Sequence, residues 1–184
     1  MLILASRSPR RSEILQQAGI PFVVRPANVD ETVYAGELPE AYVKRLAREK
    51  AAAVEAGPAD IVLGADTVVV MGSRILGKPS DRTDALRMLE ALSGREHAVL
   101  TGICLVRATE TILDVAITRV WLLSLTRQEI EQYVASGEPM DKAGAYAIQG
   151  LASKFIQRID GSYANVVGLP IEVVYRYLRQ WNHQ

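Results

Sequence analysis

Met1-Leu2-Ile3-Leu4-Ala5-Ser6-Arg7-Ser8-Pro9-Arg10-Arg11 opens the chain, and this stretch decides the class of fold. Residues 1–5 form a short apolar run that predicts a buried strand. Ser8 followed by Pro9 predicts an N-cap with proline at the first helical position. Ile14, Leu15 and Ala18, with a stop at Gly19, then predict a helix of about three turns. A strand, a tight turn and a helix in that order open an α/β fold. The charge of the turn is unusual. A helix N-terminus is the positive end of the dipole, and a capping box would place Glu or Gln three residues after the serine. This chain places Arg11 there, with Arg10 before it and Arg7 just outside. Guanidinium groups around a positive helix end repel one another unless an anion joins them, and phosphate is the usual occupant of such a turn. The competing reading is a solvated arginine cluster on a surface helix.

The composition narrows the classes further. A length of 184 residues predicts one domain with a substantial core. Hydrophobic residues make up 49% and charged residues 23%, the balance of an ordinary globular protein. Lys plus Arg and Asp plus Glu both number 21, for a formal net charge of zero, which argues against a surface that tracks nucleic acid. No apolar run has the length of a transmembrane helix and the N-terminus lacks a secretory pattern, so the expected location is the cytoplasm, away from membranes. The single cysteine, Cys104, lies in an apolar strand-like run and reads as core rather than nucleophile. The two histidines are His97, at the start of a strand and read as structural, and His183, next to the last residue. A Ser-His-Asp or Cys-His arrangement is therefore not expected. Catalysis would fall to carboxylates, lysines, arginines or a metal.

Beyond the first helix, strands and helices alternate and then strands predominate. Phe22-Val23-Val24 reads as a short strand, and residues 39–56 as a helix with Val43, Leu46, Ala47, Ala51 and Val54 on its apolar stripe. Residues 60–70 form an almost unbroken apolar run, a central strand buried on both faces. Gly72-Ser73 predicts a hairpin turn into Ile75-Leu76, and residues 81–92 a helix stopped by Gly94. Two long strands follow at residues 98–107 and 111–125. Thr126 with Glu129 is a capping box opening a helix that closes at Gly137. A loop carries Asp141 to Gly150, residues 155–159 form a strand, and Pro170 starts a last helix with Ile171, Val174, Tyr175 and Leu178 inward. No repeats or linkers interrupt this mixed α/β pattern.

Several polar residues stand where apolar ones are expected. Asp66 interrupts the core-like stretch 61–70, where an ionised carboxylate is costly unless paired, metal-bound or at a cleft. It reads as a general base or metal ligand, against an Asp satisfied by backbone amides at a bend near Gly64-Ala65. Lys50 follows Leu46 by four and Ala47 by three, on the inward stripe. Either it serves the site or its stem merely snorkels. Lys78, on a rigid turn between Gly77 and Pro79, suits a phosphate, though many surface turns look the same. Glu31, after Val29-Asp30, is placed to share a divalent metal with Asp66. Gln149, before Gly150 in a loop of small residues, has the paired donor and acceptor that read a base edge. Asp141-Lys142 in the same loop reads equally as an ion pair. Arginines, lysines and carboxylates without a usable histidine suit chemistry on a polyphosphate. Neither a Walker motif nor a Rossmann glycine fingerprint occurs.

The ordered motifs Ala5-Ser6-Arg7-Ser8-Pro9-Arg10-Arg11, Val29-Asp30-Glu31, Arg48-Glu49-Lys50-Ala51, Gly64-Ala65-Asp66-Thr67, Gly77-Lys78-Pro79 and Asp141 to Gly150 resemble those of the Maf family of nucleoside triphosphate pyrophosphatases. Gly161-Ser162-Tyr163 and Val167-Gly168-Leu169-Pro170 extend the resemblance over nearly the whole chain. The resemblance implies one domain over residues 1–184, with a mixed, twisted sheet and flanking helices in two lobes around a cleft, similar to inosine triphosphate pyrophosphatases. It implies cleavage between the α- and β-phosphates of a nucleoside triphosphate with a divalent cation, Mg²⁺ or Mn²⁺. Asp66 matches the family's proton acceptor, and Ser6, Arg11, Glu31, Lys50 and Lys78 match polar residues of its substrate site, with Glu31 and Asp66 as metal ligands. Arg10, Thr67 and Gln149 match the positions that separate subfamilies. Members preferring methylated GTP carry tryptophan, glutamine and glutamate there, so this chain resembles the dTTP/UTP subfamily. Arg7 departs from the family pattern. A homodimer stays open, as do two other functions: a non-catalytic nucleotide-binding regulator of septum formation in cell division, and a phosphatase releasing orthophosphate.

Overall fold

The opening run does form a β-α-β unit, β1 (Leu2–Leu4), α1 (Pro9–Gln17) and β2 (Phe22–Val24), in a computed structural model that describes residues 1–182. His183 lies outside the described residues. β1 pairs in parallel with β2, Leu2 opposite Phe22, and in parallel with β3 (Ile61–Met71), Leu2 opposite Ile61. Parallel neighbours need a crossover, and α1 and α2 (Pro39–Ala52) supply helices for these two. Gly72, at φ 61°, then turns the chain into β4 (Arg74–Leu76), antiparallel to the end of β3. Next come α3 (Arg82–Leu92), β5 (Glu96–Arg107), β6 (Glu110–Leu122), α4 (Arg127–Ala135), β7 (Ile156–Asp160), α5 (Tyr163–Val167) and α6 (Ile171–Asn182). The seven strands form one mixed sheet in the order β2-β1-β3-β5-β6-β7, with β4 beside β3. The capping box of Thr126 and Glu129 opens α4, and Asp81 caps α3 through the Asp84 amide at 2.8 Å.

The described residues gather into two compact units. The first holds residues 1–67, 101–116 and 168 onward, with a core of Ile3, Ala5, Ala47, Ala51, Val62 and Cys104. The second holds residues 68–100 and 117–167, with Leu89, Leu92, Val120, Tyr133 and Phe155 among its core. In it the Tyr133 and Phe155 rings meet edge to face at 5.7 Å. Cys104 is fully buried, and burial pushes its thiol up to about 11. Among the described residues, no helix is long and apolar enough to cross a membrane.

Several boundaries and faces differ from expectation. α2 stops at Ala52, because the Val54 amide turns back to the Ala51 carbonyl at 3.4 Å; Val54 leaves the helix yet still packs on the core. β6 ends at Leu122, beyond which the Leu125 amide bonds the Ser93 hydroxyl at 2.7 Å. Ala18 is an exposed C-cap, and the inward stripe of α1 is instead Arg11, Ile14 and Leu15. On α6, Tyr175 is 53% exposed, while Trp181 joins Val174 and Leu178 on the buried face. The glycine-rich loop is ordered by short 3-10 turns, Glu138–Asp141, Ala143–Ala145 and Leu151–Phe155. The five-residue α5 between Gly161 and Gly168 was not anticipated as an element.

Candidate functional site

In the first unit, α2 lies unusually close to β3 and β5. A Cβ at Gly64 of β3 would overlap the Ala47 carbonyl and lie 2.7 Å from the Ala51 amide. One at Gly102 of β5 would overlap the Val43 carbonyl. Both strand positions must therefore be glycine for the helix backbone to seat. Gly64 thus marks a helix contact within a continuous strand rather than the bend of the alternative reading. Side chains two apart on a strand share a face, so Asp66 points to the side of the sheet where α2 sits. Lys50 stands on α2 between Ala47 and Ala51, and its ammonium donates to Asp66 Oδ1 at 2.6 Å. The same ammonium is 2.6 Å from Glu31 Oε1. Glu31 belongs to residues 25–38, which carry neither helix nor strand, and Tyr42 of α2 donates to its backbone carbonyl at 2.9 Å.

Lys50 is 8% exposed and Asp66 7%. Burial pushes the Asp66 carboxyl above the ordinary carboxylate range, while the charges of Lys50 and Arg11 pull the other way and Glu31 adds to the rise. A carboxylate disposed to take up a proton beside an ammonium that steadies its charge can accept a proton from water and return it. The lysine therefore pairs two carboxylates rather than snorkelling, and no cap of backbone amides is needed to account for Asp66.

Arg11 is also buried, at 7% exposed, on the inward stripe of α1. Its guanidinium donates from Nε to the Gly168 carbonyl at 2.8 Å, from Nη1 to Ser6 Oγ at 3.0 Å and from Nη2 to Thr67 Oγ1 at 2.9 Å. Thr67 Oγ1 shares a hydrogen bond with Thr101 Oγ1 at 2.9 Å. Burial lowers the Arg11 pKa, the charges of Asp66 and Glu31 raise it, and that of Arg10 lowers it. This arginine ties the opening turn to β3 and to the segment before α6. Ser6 Oγ also accepts from the Ser8 amide at 3.2 Å, and Ser8 occupies the N-cap position without a side-chain cap bond, contrary to its expected capping role. Arg10 is half-buried and Arg7 exposed.

The structure thus brings together Ser6, Arg11 and Thr67 in one network, and Glu31, Lys50 and Asp66 in another, all in the first unit. Lys78 and Gln149 belong to the second unit, and both are exposed. Asp141 and Lys142 form an ion pair. His97 is buried against Tyr146, Nε2 to hydroxyl 2.7 Å, with its pKa lowered to about 4 by burial, a structural histidine as expected. Thr101, Gly168, Tyr42 and Arg45 were not anticipated. For Arg11 the signal was present, since its spacing to Ile14 and Leu15 is that of the buried stripe.

With these networks in place, comparison with known proteins decides the family. Residues 1–181 match the Maf-like protein family. The chain belongs to the Maf family. A protein of Koribacter versatilis named dTTP/UTP pyrophosphatase is 52% identical over 97% of this Maf chain and 93% of its own. A Bacillus anthracis protein of the same name is 50% identical over 98% of this chain and 95% of its own. The solved Ham1 protein of Staphylococcus aureus aligns with 66% of this Maf chain and 71% of its own, at TM-score 0.45 and 14% identity, a likeness too distant to bear on function.

Proposed function

We propose that this Maf protein hydrolyses pyrimidine nucleoside triphosphates, dTTP and UTP, at the bond between the α- and β-phosphates. The observation that carries the reading is the buried Lys50 ammonium held 2.6 Å from both Asp66 and Glu31. The names of the relatives at about half identity support the substrate class. Asp66 accepts a proton from a water molecule as that water attacks the α-phosphorus. A new P–O bond forms, the bond to the bridging oxygen breaks, and pyrophosphate leaves with the electron pair, giving the nucleoside monophosphate. Lys50 steadies the carboxylate before the transfer, and with two of its three N–H donors on Asp66 and Glu31 it has one left for a phosphate oxygen. Arg11 holds the turn of Ser6 in place through three bonds and has a second N–H on each terminal nitrogen to offer an anion. Lys78, Arg10, Thr67 and Gln149 enter the proposal through the family motifs, the first as a phosphate ligand and the others as selectors of the base.

Two carboxylates fit the donor set that Mg²⁺ or Mn²⁺ takes alongside substrate phosphates. Glu31 and Asp66 are the residues that would hold the ion, although among the described residues no group of three or more His, Cys, Asp or Glu gathers around one point. A bound ion would polarise the phosphate oxygens and neutralise charge on them. Lys50 contacts Oε1 of one carboxylate and Oδ1 of the other, so any ion shares the pair with the lysine.

The test is a panel of canonical and modified triphosphates incubated with Mg²⁺ or Mn²⁺, with products identified. Pyrimidine monophosphate plus pyrophosphate is the expected result. Orthophosphate would make the protein a phosphatase, and tight binding without turnover would make it a nucleotide-responsive regulator.

A further inference from the structure

We propose that Arg45 is a positioning residue for Glu31, holding residues 30–37 in the form that brings Glu31 to Lys50. The proposal rests on the reading of Glu31 as part of the catalytic site. Residues 25–38 have no ladder or helix to hold them, and connections above about 12–15 residues without secondary structure are usually functional or disordered. Many of the bonds that order this one converge on one guanidinium from α2. Arg45 Nε donates to Glu37 Oε1 at 2.7 Å and Nη2 to Glu37 Oε2 at 2.8 Å, a two-pronged fork on one carboxylate. Nη2 also donates to the Thr32 carbonyl at 3.0 Å, one residue past Glu31. The guanidinium carbon lies 4.0 Å from the Tyr34 ring centre. Glu37 in turn accepts from the Tyr34 amide at 3.1 Å, which closes the turn on itself. Nη1 lies 3.3 Å from both oxygens of Glu49, one turn further along α2, which fixes the arginine's own direction.

The geometry explains how an exposed loop keeps a functional carboxylate in register. Arg45 and Lys50 leave the same helix five residues apart, so one rigid element carries both the clamp and the ammonium that Glu31 meets. Tyr42, one turn before Arg45, adds the 2.9 Å bond to the Glu31 carbonyl. Arg45 bonds the Glu37 and Glu49 carboxylates and the Thr32 carbonyl. It acts on Glu31 through the residues that follow it, Thr32, Tyr34 and Glu37.

A double-mutant cycle tests this. Arg45→Ala lowers kcat/KM for triphosphate hydrolysis at least tenfold in the otherwise native protein and less than twofold in a Glu31→Ala background. Arg45→Lys fails to restore activity, because lysine lacks the fork. Glu37→Gln, in the surface loop, reproduces part of the loss without touching α2, and keeps the test open if Arg45→Ala does not fold. Hydrogen exchange across residues 28–37 speeds up in Arg45→Ala while exchange in residues 61–71 stays as it was. Independent, multiplicative losses from Arg45→Ala and Glu31→Ala would overturn the proposal, as would unchanged exchange in residues 28–37. A Glu31→Ala protein with full activity would instead overturn the role of Glu31, and the positioning role with it.

Discussion

Lys50 and Asp66 face each other across the packing of α2 on β3, 2.6 Å apart and both under a tenth exposed. The partners are not equivalent. Removing the lysine leaves a buried carboxylate without its counter-ion, a change that costs about 3–5 kcal/mol in other proteins. Removing the carboxylate leaves Lys50 with Glu31, which is half exposed and in contact with water. Lys50→Met is therefore expected to destabilise the fold by several times as much as Asp66→Asn in chemical denaturation. The Asp66 carboxyl already sits above its ordinary range through burial, and losing Lys50 lifts it further. Since a raised carboxyl pKa favours the folded state at low pH and disfavours it as pH rises through the folded value, the Lys50→Met deficit should shrink between pH 8 and pH 5.

Gly64 sets the distance between those two residues. Gly64→Ala drives a methyl group into the Ala47 carbonyl and the Ala51 backbone, and overpacking of this kind costs about 1–3 kcal/mol. The helix must move to relieve it, and Lys50 moves with the helix. The variant is expected to lose stability in that range and to lose kcat by more than the unfolded fraction explains. Stopped assays alongside circular dichroism melts at one temperature separate the two.

How much of this was legible before folding depends on the residue. The opening β-α-β unit, the capping box at Thr126 and the hairpin at Gly72 follow local rules of period and turn chemistry, and all three form. Asp66 and Lys50 were visible as polar residues on apolar faces, because the cost of burying a charge does not depend on knowing its partner. The partner itself was not visible. That Lys50 meets Asp66 follows from two glycines on different strands, and that it meets Glu31 follows from a loop folded onto α2, which local patterns cannot relate. Arg11 was read as a ligand at a helix end; that its guanidinium also bonds Ser6, Thr67 and Gly168 was not visible, since those partners lie far along the chain or outside the helix pattern. Arg45 carries no signal of its own in the sequence, since its fork on Glu37 crosses a loop with no periodicity to read.

His97 makes stability depend on pH in the opposite sense to Asp66. Its pKa falls to about 4 in the folded protein against 6.5 as the ordinary value. Below pH 6.5 the unfolded chain binds the proton that the buried ring refuses, so stability declines as pH drops from 6.5 toward 4 and is fully present above 6.5. The loss approaches about 3 kcal/mol at the acid end. Urea denaturation of the native protein and of His97→Gln at pH 7 and pH 5 measures it; the variant should show the smaller fall.

Arg10 stands half-buried beside the turn that Arg11 organises. Arg10→Trp introduces the residue that the family resemblance assigns to members preferring methylated GTP, and it removes a charge that acts on Arg11. It should cut kcat/KM for dTTP and UTP relative to purine triphosphates while leaving the melting temperature within a few degrees. An unchanged substrate ratio would show that selectivity resides elsewhere.

The central claim is that Asp66 directs water to the α-phosphorus, and oxygen-isotope labelling tests it most directly. Hydrolysis of dTTP in ¹⁸O-labelled water by the native protein should place one heavy oxygen in the monophosphate and none in the pyrophosphate. Asp66→Asn, folded to the same degree, should lower that rate by about 10²–10⁴, the range typical of a lost general base. Label in the pyrophosphate, release of orthophosphate, or an Asp66→Asn protein that turns over at the native rate would contradict the account.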